Sequence, residues 1–262
     1  MIRLESASYK AYPVNAENIN FHLPRGETAI LLGPRSSGKS DFLKACTGLT
    51  KLTSGLLFLM GEDITEGAGS YGVFEMRDIG FVTQQQTLMD NLTIAANIGL
   101  PLSYHLGVGE DELKNMVVPL MEKFGIDKSA DRFPHEISAV EAKLGLMARA
   151  VVLGPRLLLL DEPTAGDMDP GGFTRVVSLI KRIMSEGVTM LITTSSPTFA
   201  ALEGATLYYF VNGSLLEQRA AEESDDVLFR NYFQEISDFV HGPKQDSMER
   251  IGYIGRDRRR RE

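Results

Sequence analysis

The sequence predicts an α/β protein with a parallel core sheet, a small antiparallel β layer, an inserted helical subdomain and a C-terminal extension. Short apolar runs bounded by Gly, Pro or charged residues, such as Thr28–Leu32 and Leu157–Leu160, are typical of fully buried parallel strands. Helical patterns separate these runs, as expected for βαβ units. With 262 residues, 43% of them hydrophobic and 24% charged, the chain can bury one substantial core.

The N-terminal segment, from Ile2 through Leu23, combines short β-like stretches with turn residues and ends at a Pro-Arg-Gly-Glu turn, residues 24–27. This pattern predicts the antiparallel layer. The strand Thr28–Leu32 then runs into a Gly/Ser loop and a helix predicted over Lys39–Thr47. The order of these elements is therefore strand, loop, helix.

The pattern becomes helical between about Thr87 and Ala150, where apolar residues such as Leu113, Val117 and Leu120 recur at helix-face spacing. We interpret residues 87–150 as a helical subdomain inserted into the sheet.

The C-terminal part of the sequence begins with strand signals at Arg156–Leu160 and Thr189–Thr193, which flank a predicted helix over Gly172–Ser185. The segment Leu207–Leu216, with its Asn-Gly turn, predicts a hairpin. We expect residues 1–220 to form one domain and residues 221–262 to form an extension, whose last seven residues are rich in arginine.

The acidic composition restricts the function classes. The net charge of −8 argues against a nucleic-acid partner, because phosphate neutralisation needs a cationic surface. The single cysteine, Cys46, cannot form an internal disulfide, and the apolar runs are far shorter than the roughly 20 residues of a spanning helix. We expect a cytoplasmic protein, and any role at the inner face of the cell membrane must come through partner subunits.

A phosphate-binding loop follows the strand Thr28–Leu32. Eight residues fit the pattern G-x-x-x-x-G-K-[ST] between a predicted strand and a predicted helix, namely Gly33, Pro34, Arg35, Ser36, Ser37, Gly38, Lys39 and Ser40. The loop amides and the helix N-terminus form an anion cradle, Lys39 reaches the β- and γ-phosphates, and the Ser40 hydroxyl can ligate Mg²⁺. We count the next helical residue, Asp41, among the nucleotide-binding residues. The sequence thus predicts a P-loop NTPase that binds ATP and Mg²⁺.

One position of this loop is unusual, because Ser36 stands where many such loops have a further glycine. A side chain at that position restricts the backbone. We expect nucleotide binding to survive the substitution.

Two adjacent carboxylates end the predicted strand Arg156–Leu160. Ligands bind at the carboxyl edge of parallel strands, and Asp161 and Glu162 lie at this edge. We expect Asp161 to hold Mg²⁺, through water, and Glu162 to act as the base that activates the attacking water.

From Met1 to about Glu217 the sequence resembles the nucleotide-binding subunits of ABC transporters. The phosphate loop, the Asp161-Glu162 strand end and the run Ile79-Gly80-Phe81-Val82-Thr83-Gln84 carry this resemblance. It implies a P-loop fold with a RecA-like parallel core sheet, ATPase activity, a second ABC subunit and transmembrane permease subunits as partners.

The resemblance also implies roles for single residues. In the family, a glutamine bridges the metal and the transmembrane partner, which places Gln84 in the catalytic and metal site, with Gln85 as the alternative. An N-terminal aromatic stacks on adenine in the family, and Tyr12 matches this residue, with Tyr9 as the alternative. Residues 84–86 could instead be a solvated polar run, and either tyrosine could belong to the core.

The family's L-S-G-G-Q signature is degenerate in this chain, which has Ile-Ser-Ala-Val-Glu at residues 137–141. By the resemblance, Ser138 contacts the nucleotide held by the opposing subunit. Ala139 and Val140 add side chains where a backbone approaches phosphate, and Glu141 brings negative charge towards it. We expect a weak contact between the subunits at this signature.

Two further departures follow the predicted strands Thr189–Thr193 and Arg156–Leu160. Ser195 stands where the family has a histidine that contacts the γ-phosphate. A serine hydroxyl, unlike an imidazole, does not become positively charged by protonation at neutral pH. The loop after Glu162 is one residue longer than the common form, which leaves Asp169 or Asp167 as the cross-dimer aspartate. The four histidines, at positions 22, 105, 135 and 241, are interpreted as structural or surface residues.

Two short segments, Asn97–Leu102 and Asp238–Pro243, are similar to the ATPases of Mla-type phospholipid transporters that work with MCE-domain proteins. This similarity implies lipid transport, MCE-domain partners and a C-terminal extension that wraps around the neighbouring subunit. A solvated charged tail is the alternative for residues 256–262.

Two functions are consistent with the sequence. The first is an energy-coupling ATPase subunit of a membrane ABC transporter, slow because of its degenerate signature and missing histidine. The alternative is a nucleotide-gated regulatory or structural ABC subunit with little turnover. Glu162 favours the first function, whereas Ala139, Val140 and Ser195 favour the second.

Overall fold

The computed structural model describes residues 1–11, 14–67, 76–166, 168–217 and 227–241. The strands are β1 (Ile2–Tyr9), β2 (Ala16–Leu23), β3 (Thr28–Leu32), β4 (Leu52–Leu59), β5 (Glu62–Asp63), β6 (Ile79–Val82), β7 (Leu157–Asp161), β8 (Thr189–Thr194), β9 (Ala205–Val211) and β10 (Ser214–Glu217). The α-helices are α1 (Lys39–Cys46), α2 (Ile94–Leu106), α3 (Glu110–Phe124), α4 (Ala139–Val151), α5 (Pro170–Ser185) and α6 (Val227–His241).

The central sheet has the order β10-β9-β3-β8-β7-β6, and its strands are parallel except for β10. Both faces are covered, which explains the continuous apolar runs. In β7, Leu157 and Leu159 pack towards α1 and the antiparallel layer, while Leu158 and Leu160 pack towards the helices on the other face. The predicted parallel core sheet is confirmed.

The antiparallel layer is a second sheet with the order β2-β1-β4-β5. Sequence reasoning placed this layer in the first 23 residues, and the structure extends it with β4 and β5. The chain returns to the layer after α1, because the alternating pattern of β4 buries Leu57 and Leu59 against the same core as Ile2 and Leu4.

The predicted helical region contains α2, α3 and α4. Asn97 fastens this region, since its side-chain amide donates to the carbonyl oxygens of Met89 (3.0 Å) and Leu92 (3.1 Å) and accepts from the Met89 N–H at 2.7 Å. Asn97 is fully buried, so these bonds satisfy a polar group that would otherwise be costly there. Helix α4 leads directly to β7 and thereby connects this region to the central sheet.

Helix α6 packs on the core of its own chain. Ile236 is 4% exposed, and the rings of Tyr232 and Phe233 contact Tyr209 of β9 edge-on, with centroid distances of 6.2 and 5.7 Å. The described part of the extension thus packs on its own chain, and its wrapping around a neighbouring subunit stays a prediction. Residues 242–262, with the arginine-rich end, lie outside the described residues.

None of the helices in the described ranges is long and apolar enough to cross a membrane.

Candidate functional site

The loop between β3 and α1 has the close packing that its glycines permit. A Cβ on Gly33 would lie 2.3 Å from the Phe210 carbonyl oxygen, and Gly38, at the start of α1, has φ +96°. Ser36 also adopts a left-handed conformation, with φ +60°, which glycine would adopt without strain. The loop therefore accommodates the unusual serine at a conformational cost of about 1–2 kcal/mol.

Lys39 joins this loop to the carboxylate after β7. Its Nζ donates to the carbonyl oxygens of Gly33 and Pro34, at 2.8 Å each, and lies 3.7 Å from Glu162 Oε1. Burial lowers the pKa of Lys39, and the negative charges of Glu162 and Asp161 oppose that shift. The fold thus brings together the lysine and the carboxylate that sequence reasoning assigned to one site.

The carboxylates Asp161 and Glu162 are held by β8. Thr193 Oγ1 donates to Asp161 Oδ1 at 2.7 Å, and Thr194 Oγ1 donates to Glu162 Oε2 at 3.3 Å. Glu162 has φ +47°, a left-handed conformation that costs a non-glycine residue about 1–2 kcal/mol and is often found at functional sites.

The remaining residues assigned to the nucleotide site lie just before α1 and in its first turn. Ser37 Oγ is buried and has no hydrogen-bond partner within the described part of the chain. Such an orphaned hydroxyl fits an anionic ligand, because a phosphate oxygen would accept its hydrogen bond. Asp41 is half-buried and lies 3.4 Å from Lys44 Nζ on the same helix.

The donor set at this edge of the sheet fits Mg²⁺. Among the described residues, no group of three His, Cys, Asp or Glu side chains could hold a metal ion. Mg²⁺ commonly uses only one or two protein oxygens, with phosphate and water completing the octahedron. The Ser40 hydroxyl and the Asp161 carboxylate supply such oxygens, because α1 packs across β8 and β7.

Gln84 and Gln85 lie in an exposed turn directly after β6. Strand β6 is parallel to β7, so this turn and the two carboxylates share one edge of the sheet. Gln86, the third glutamine, instead closes the turn, since its Oε1 accepts from the Thr83 N–H at 3.2 Å.

Ser138 is the N-cap of α4. Its Oγ accepts from the Glu141 N–H at 3.2 Å and donates to Glu141 Oε2 at 2.7 Å, and its own N–H donates to the same carboxylate at 2.9 Å. Ser129 Oγ adds a further donor to Glu141 at 2.6 Å. These bonds lower the pKa of Glu141 to about 2. The carboxylate at the degenerate signature is thus part of a capping box.

Val140 does not crowd the surface of the signature. It is 7% exposed, and a Cβ added to Gly172 of α5 would lie 2.2 Å from Val140 Cγ2. The expectation that this side chain occupies the phosphate-facing surface is therefore wrong, because the valine packs inward against α5. Ala139 is exposed, as expected.

A pocket of about 430 Å³ opens beside Glu162. It is lined by Pro34, Arg35, Glu162, Thr164, Ala165, Phe173, Ser195, Ser196 and Tyr232. Ser195 therefore lies at the site, as expected for the residue in the histidine position. His22, His105 and His135 are exposed and do not line this pocket.

The remaining sequence-based assignments concern the adenine-stacking tyrosine and the cross-dimer aspartate. Tyr9 is 1% exposed within the antiparallel layer, so it cannot stack on a nucleotide base, and this alternative is wrong. Tyr12 and Asp167 lie outside the described residues. Asp169 is the N-cap of α5, where its Oδ1 accepts from the Gly172 N–H at 2.9 Å.

Sequence reasoning missed Thr193, Thr194 and Tyr232. Both threonines are fully buried at the carboxyl end of an apolar strand, where a hydroxyl needs a partner, and that position was the available signal. Tyr232 gave no such signal, because only the packing of α6 brings it to the pocket.

Comparison with known proteins shows extensive similarity. Residues 16–165 match the family model described as "ABC transporter". The chain is 31% identical over 221 residues to the arginine transport ATP-binding protein ArtP of Escherichia coli K12, covering 82% of this chain and 91% of that protein. It is 29% identical to the glutamine transport ATP-binding protein GlnQ of Geobacillus stearothermophilus, covering 79% of this chain and 85% of that protein.

Among solved structures, the dimeric bacterial ABC transporter cassette MJ0796 superposes with a TM-score of 0.70 at 25% identity, covering 83% of this chain and 98% of that chain.

Proposed function

The chain belongs to the ABC transporter family of ATP-binding cassettes, and from that premise we propose that it hydrolyses ATP to power a membrane transporter that it does not itself contain. The observation that carries this proposal is the meeting of Lys39 and Glu162 across the phosphate loop, at 3.7 Å. A cation for the phosphates and a carboxylate for the water lie side by side there, which is the arrangement that phosphoryl transfer needs.

The chemistry assigns a role to each part of the site. The backbone amides of residues 33–41 surround the phosphates, and Lys39 neutralises their charge. Glu162 accepts a proton from the attacking water. Mg²⁺ neutralises phosphate charge when bound, and Ser40, Asp161 and Gln84 would hold it. We propose Tyr12 as the residue that stacks on adenine.

We propose that turnover is slow. Ser195 cannot act as a charged hydrogen-bond donor, and Ser138 is engaged with the Glu141 carboxylate. A negative charge beside the signature disfavours close approach of the γ-phosphate held by a second subunit. The residues expected to bind ATP thus match the family pattern, whereas two of the groups expected to stabilise the transition state do not.

The proposed working unit is a dimer of ABC subunits with transmembrane permease subunits, in which Gln84 and the helices within residues 87–150 transmit closure. Residues 1–220 would form the nucleotide-binding domain and residues 221–262 the extension.

The names of the two relatives give arginine and glutamine as cargo, whereas lipid cargo and MCE-domain partners have no support among the relatives. We therefore propose transport without a named cargo.

One observation favours the alternative of a nucleotide-gated regulatory subunit. The Ser138 hydroxyl donates to its own helix cap rather than being available to a neighbouring nucleotide. In that case the subunit would bind and retain ATP, and its effect on partner subunits would come from closure of the dimer and not from hydrolysis.

Substitution of the loop lysine tests the proposal. Lys39→Ala should abolish ATP binding, measured by displacement of a fluorescent nucleotide or by calorimetry, because the buried cation that faces the phosphates is lost. Lys44→Ala is the matched control: it is exposed on the same helix, pairs with Asp41, and should leave ATP affinity unchanged. Equal affinity of the Lys39→Ala variant and the parent protein would exclude this loop as the nucleotide site.

A further inference from the structure

Helix α6 brings one tyrosine to the nucleotide side of the molecule. Tyr232 lines the pocket beside Glu162, together with Arg35 of the phosphate loop and Ser195. Its ring packs edge-on against Tyr209 of β9, and the buried Ile236 fastens the next turn of the helix. The position of Tyr232 is thus set by the core and not by a surface contact.

The hydroxyl of Tyr232 is buried, and no hydrogen-bond partner for it exists within the described part of the chain. Buried polar groups are rarely left without a partner, and those at sites of chemistry call for an explanation. Burial raises the pKa of Tyr232, and the negative charge of Glu162 raises it further. The phenol is therefore a neutral hydrogen-bond donor at physiological pH.

Glu162 is held loosely by its own contacts. The Thr194 hydroxyl reaches Oε2 at 3.3 Å, near the upper limit of a hydrogen bond, and Lys39 Nζ lies 3.7 Å from Oε1. Lys39 has three donors, and phosphate oxygens compete for them when ATP is in the loop. The ion pair between Lys39 and Glu162 then weakens at the stage when the orientation of the carboxylate matters most.

We propose that Tyr232 is a positioning residue for Glu162, whose carboxylate accepts a hydrogen bond from the Tyr232 hydroxyl once Lys39 engages the phosphates of ATP. This inference rests on the proposed ATPase function. It gives Glu162 an orienting group within the same chain, in the pocket that also contains Ser195, whose side chain is shorter than a histidine.

The arrangement leaves the phenol outside the proton transfer itself. Glu162 must accept a proton from water, and a neutral donor to one carboxylate oxygen keeps the other oxygen directed at that water. In this proposal Tyr232 acts through Glu162 and not on ATP, so it should affect the chemical step more than nucleotide affinity.

The test uses the full-length chain with Tyr232→Phe, which removes one oxygen atom. We expect phosphate release under single-turnover conditions to fall about tenfold, corresponding to about 1.4 kcal/mol of barrier. Affinities for ATP and ADP should stay within a factor of about two of the parent values. Tyr208→Phe is the matched control. Tyr208 precedes Tyr209 in β9, and its hydroxyl donates to the His22 carbonyl oxygen at 3.5 Å. The rate of phosphate release of this variant should equal that of the parent.

The thermal unfolding midpoint without nucleotide separates positioning from a structural role. Since the hydroxyl has no partner there, Tyr232→Phe should unfold at the same temperature as the parent or higher. A lower midpoint, or an unchanged rate, would overturn the inference. Failure of the parent chain to bind ATP would overturn the proposed function instead, and a parent without phosphate release that depends on Glu162 would overturn both.

Discussion

Asp161 and Glu162 receive their hydrogen bonds from hydroxyl groups of β8. Thr193 holds Asp161 at 2.7 Å, Thr194 reaches Glu162 only at 3.3 Å, and Lys39 is the ion-paired cation of the phosphate loop. Neutral donors orient a carboxylate without a permanent ion pair, so the charge of Lys39 remains available for phosphate. At the residue scale, the hydroxyl groups of β8 thus hold the two carboxylates, and a different group, Lys39, neutralises the charge of the phosphates.

The residue scale also explains Glu141. Above pH 4.5, the ordinary carboxyl pKa, ionised Glu141 accepts hydrogen bonds from Ser138 and Ser129. The contribution of these bonds to the free energy of unfolding is then fully present. The contribution is lost as the pH falls from about 4.5 to the folded-state pKa of about 2, because a depressed pKa marks a group that folding prefers to keep ionised.

Glu141→Gln should therefore lower the free energy of unfolding at pH 7 by about 1 kcal/mol, a typical value for a helix cap. The difference from the parent should shrink as the pH falls below about 4.5 and vanish only below the folded-state pKa of about 2. Urea unfolding at each pH measures it, with Glu122→Gln on the exposed face of α3 as the control. A stability difference that does not depend on pH would contradict the capping role.

At the scale of elements, the apolar pattern predicts most of the fold because both faces of the central sheet are covered. The runs that become β3, β7 and β8 are buried throughout, and the Asn-Gly turn between β9 and β10 adopts the positive φ angles of a hairpin. The alternation that makes β4 part of the antiparallel layer lies after α1, where no local signal shows which sheet it joins. The destination of α6 is likewise set by tertiary packing.

The contact between α4 and α5 yields a prediction about packing. Gly172→Ala places a Cβ 2.2 Å from Val140 Cγ2, so we expect a loss of about 1–3 kcal/mol in the free energy of unfolding. Adding Val140→Ala should recover part of this loss, because the two sites share one contact. Chemical denaturation of the parent, both single variants and the double variant gives the coupling energy.

Gly109→Ala is the matched control, since its Cβ would meet nothing within 4 Å and its φ is −77°. Additive effects in the double variant would show that Val140 does not pack against Gly172 in solution.

At the scale of the whole molecule, the site is assembled from distant segments. The motif residues Lys39, Asp161 and Glu162 were predictable, because their spacing follows the strand-loop-helix order of the sheet. Tyr232 was not, because it reaches the pocket only after α6 folds back onto β9. Val140 was misplaced because the sequence shows a substitution at a motif position and not the direction in which its side chain points.

The last prediction concerns turnover of the unmodified chain, which we expect to be slow when it acts as a homodimer. Both nucleotides would then face the same signature, with exposed Ala139 and the Glu141 carboxylate, and both would lie beside Ser195. Electrostatic contacts to a transition state are worth about 3 kcal/mol each, roughly a hundredfold in rate, so two weakened contacts leave little hydrolysis.

Ala139→Gly, Glu141→Gln and Ser195→His, combined, should therefore raise phosphate release, while Val140 is kept because its side chain fills the space beside Gly172. Adding Glu162→Gln to the combined variant is the control and should remove the gain, since the base is lost. A heterodimer with a glycine-rich partner subunit would repair only the contact at this chain's phosphate loop, and Ser195 would still limit the rate. If the unmodified chain alone hydrolyses ATP as fast as the combined variant, these substitutions are not defects, and other groups contact the γ-phosphate.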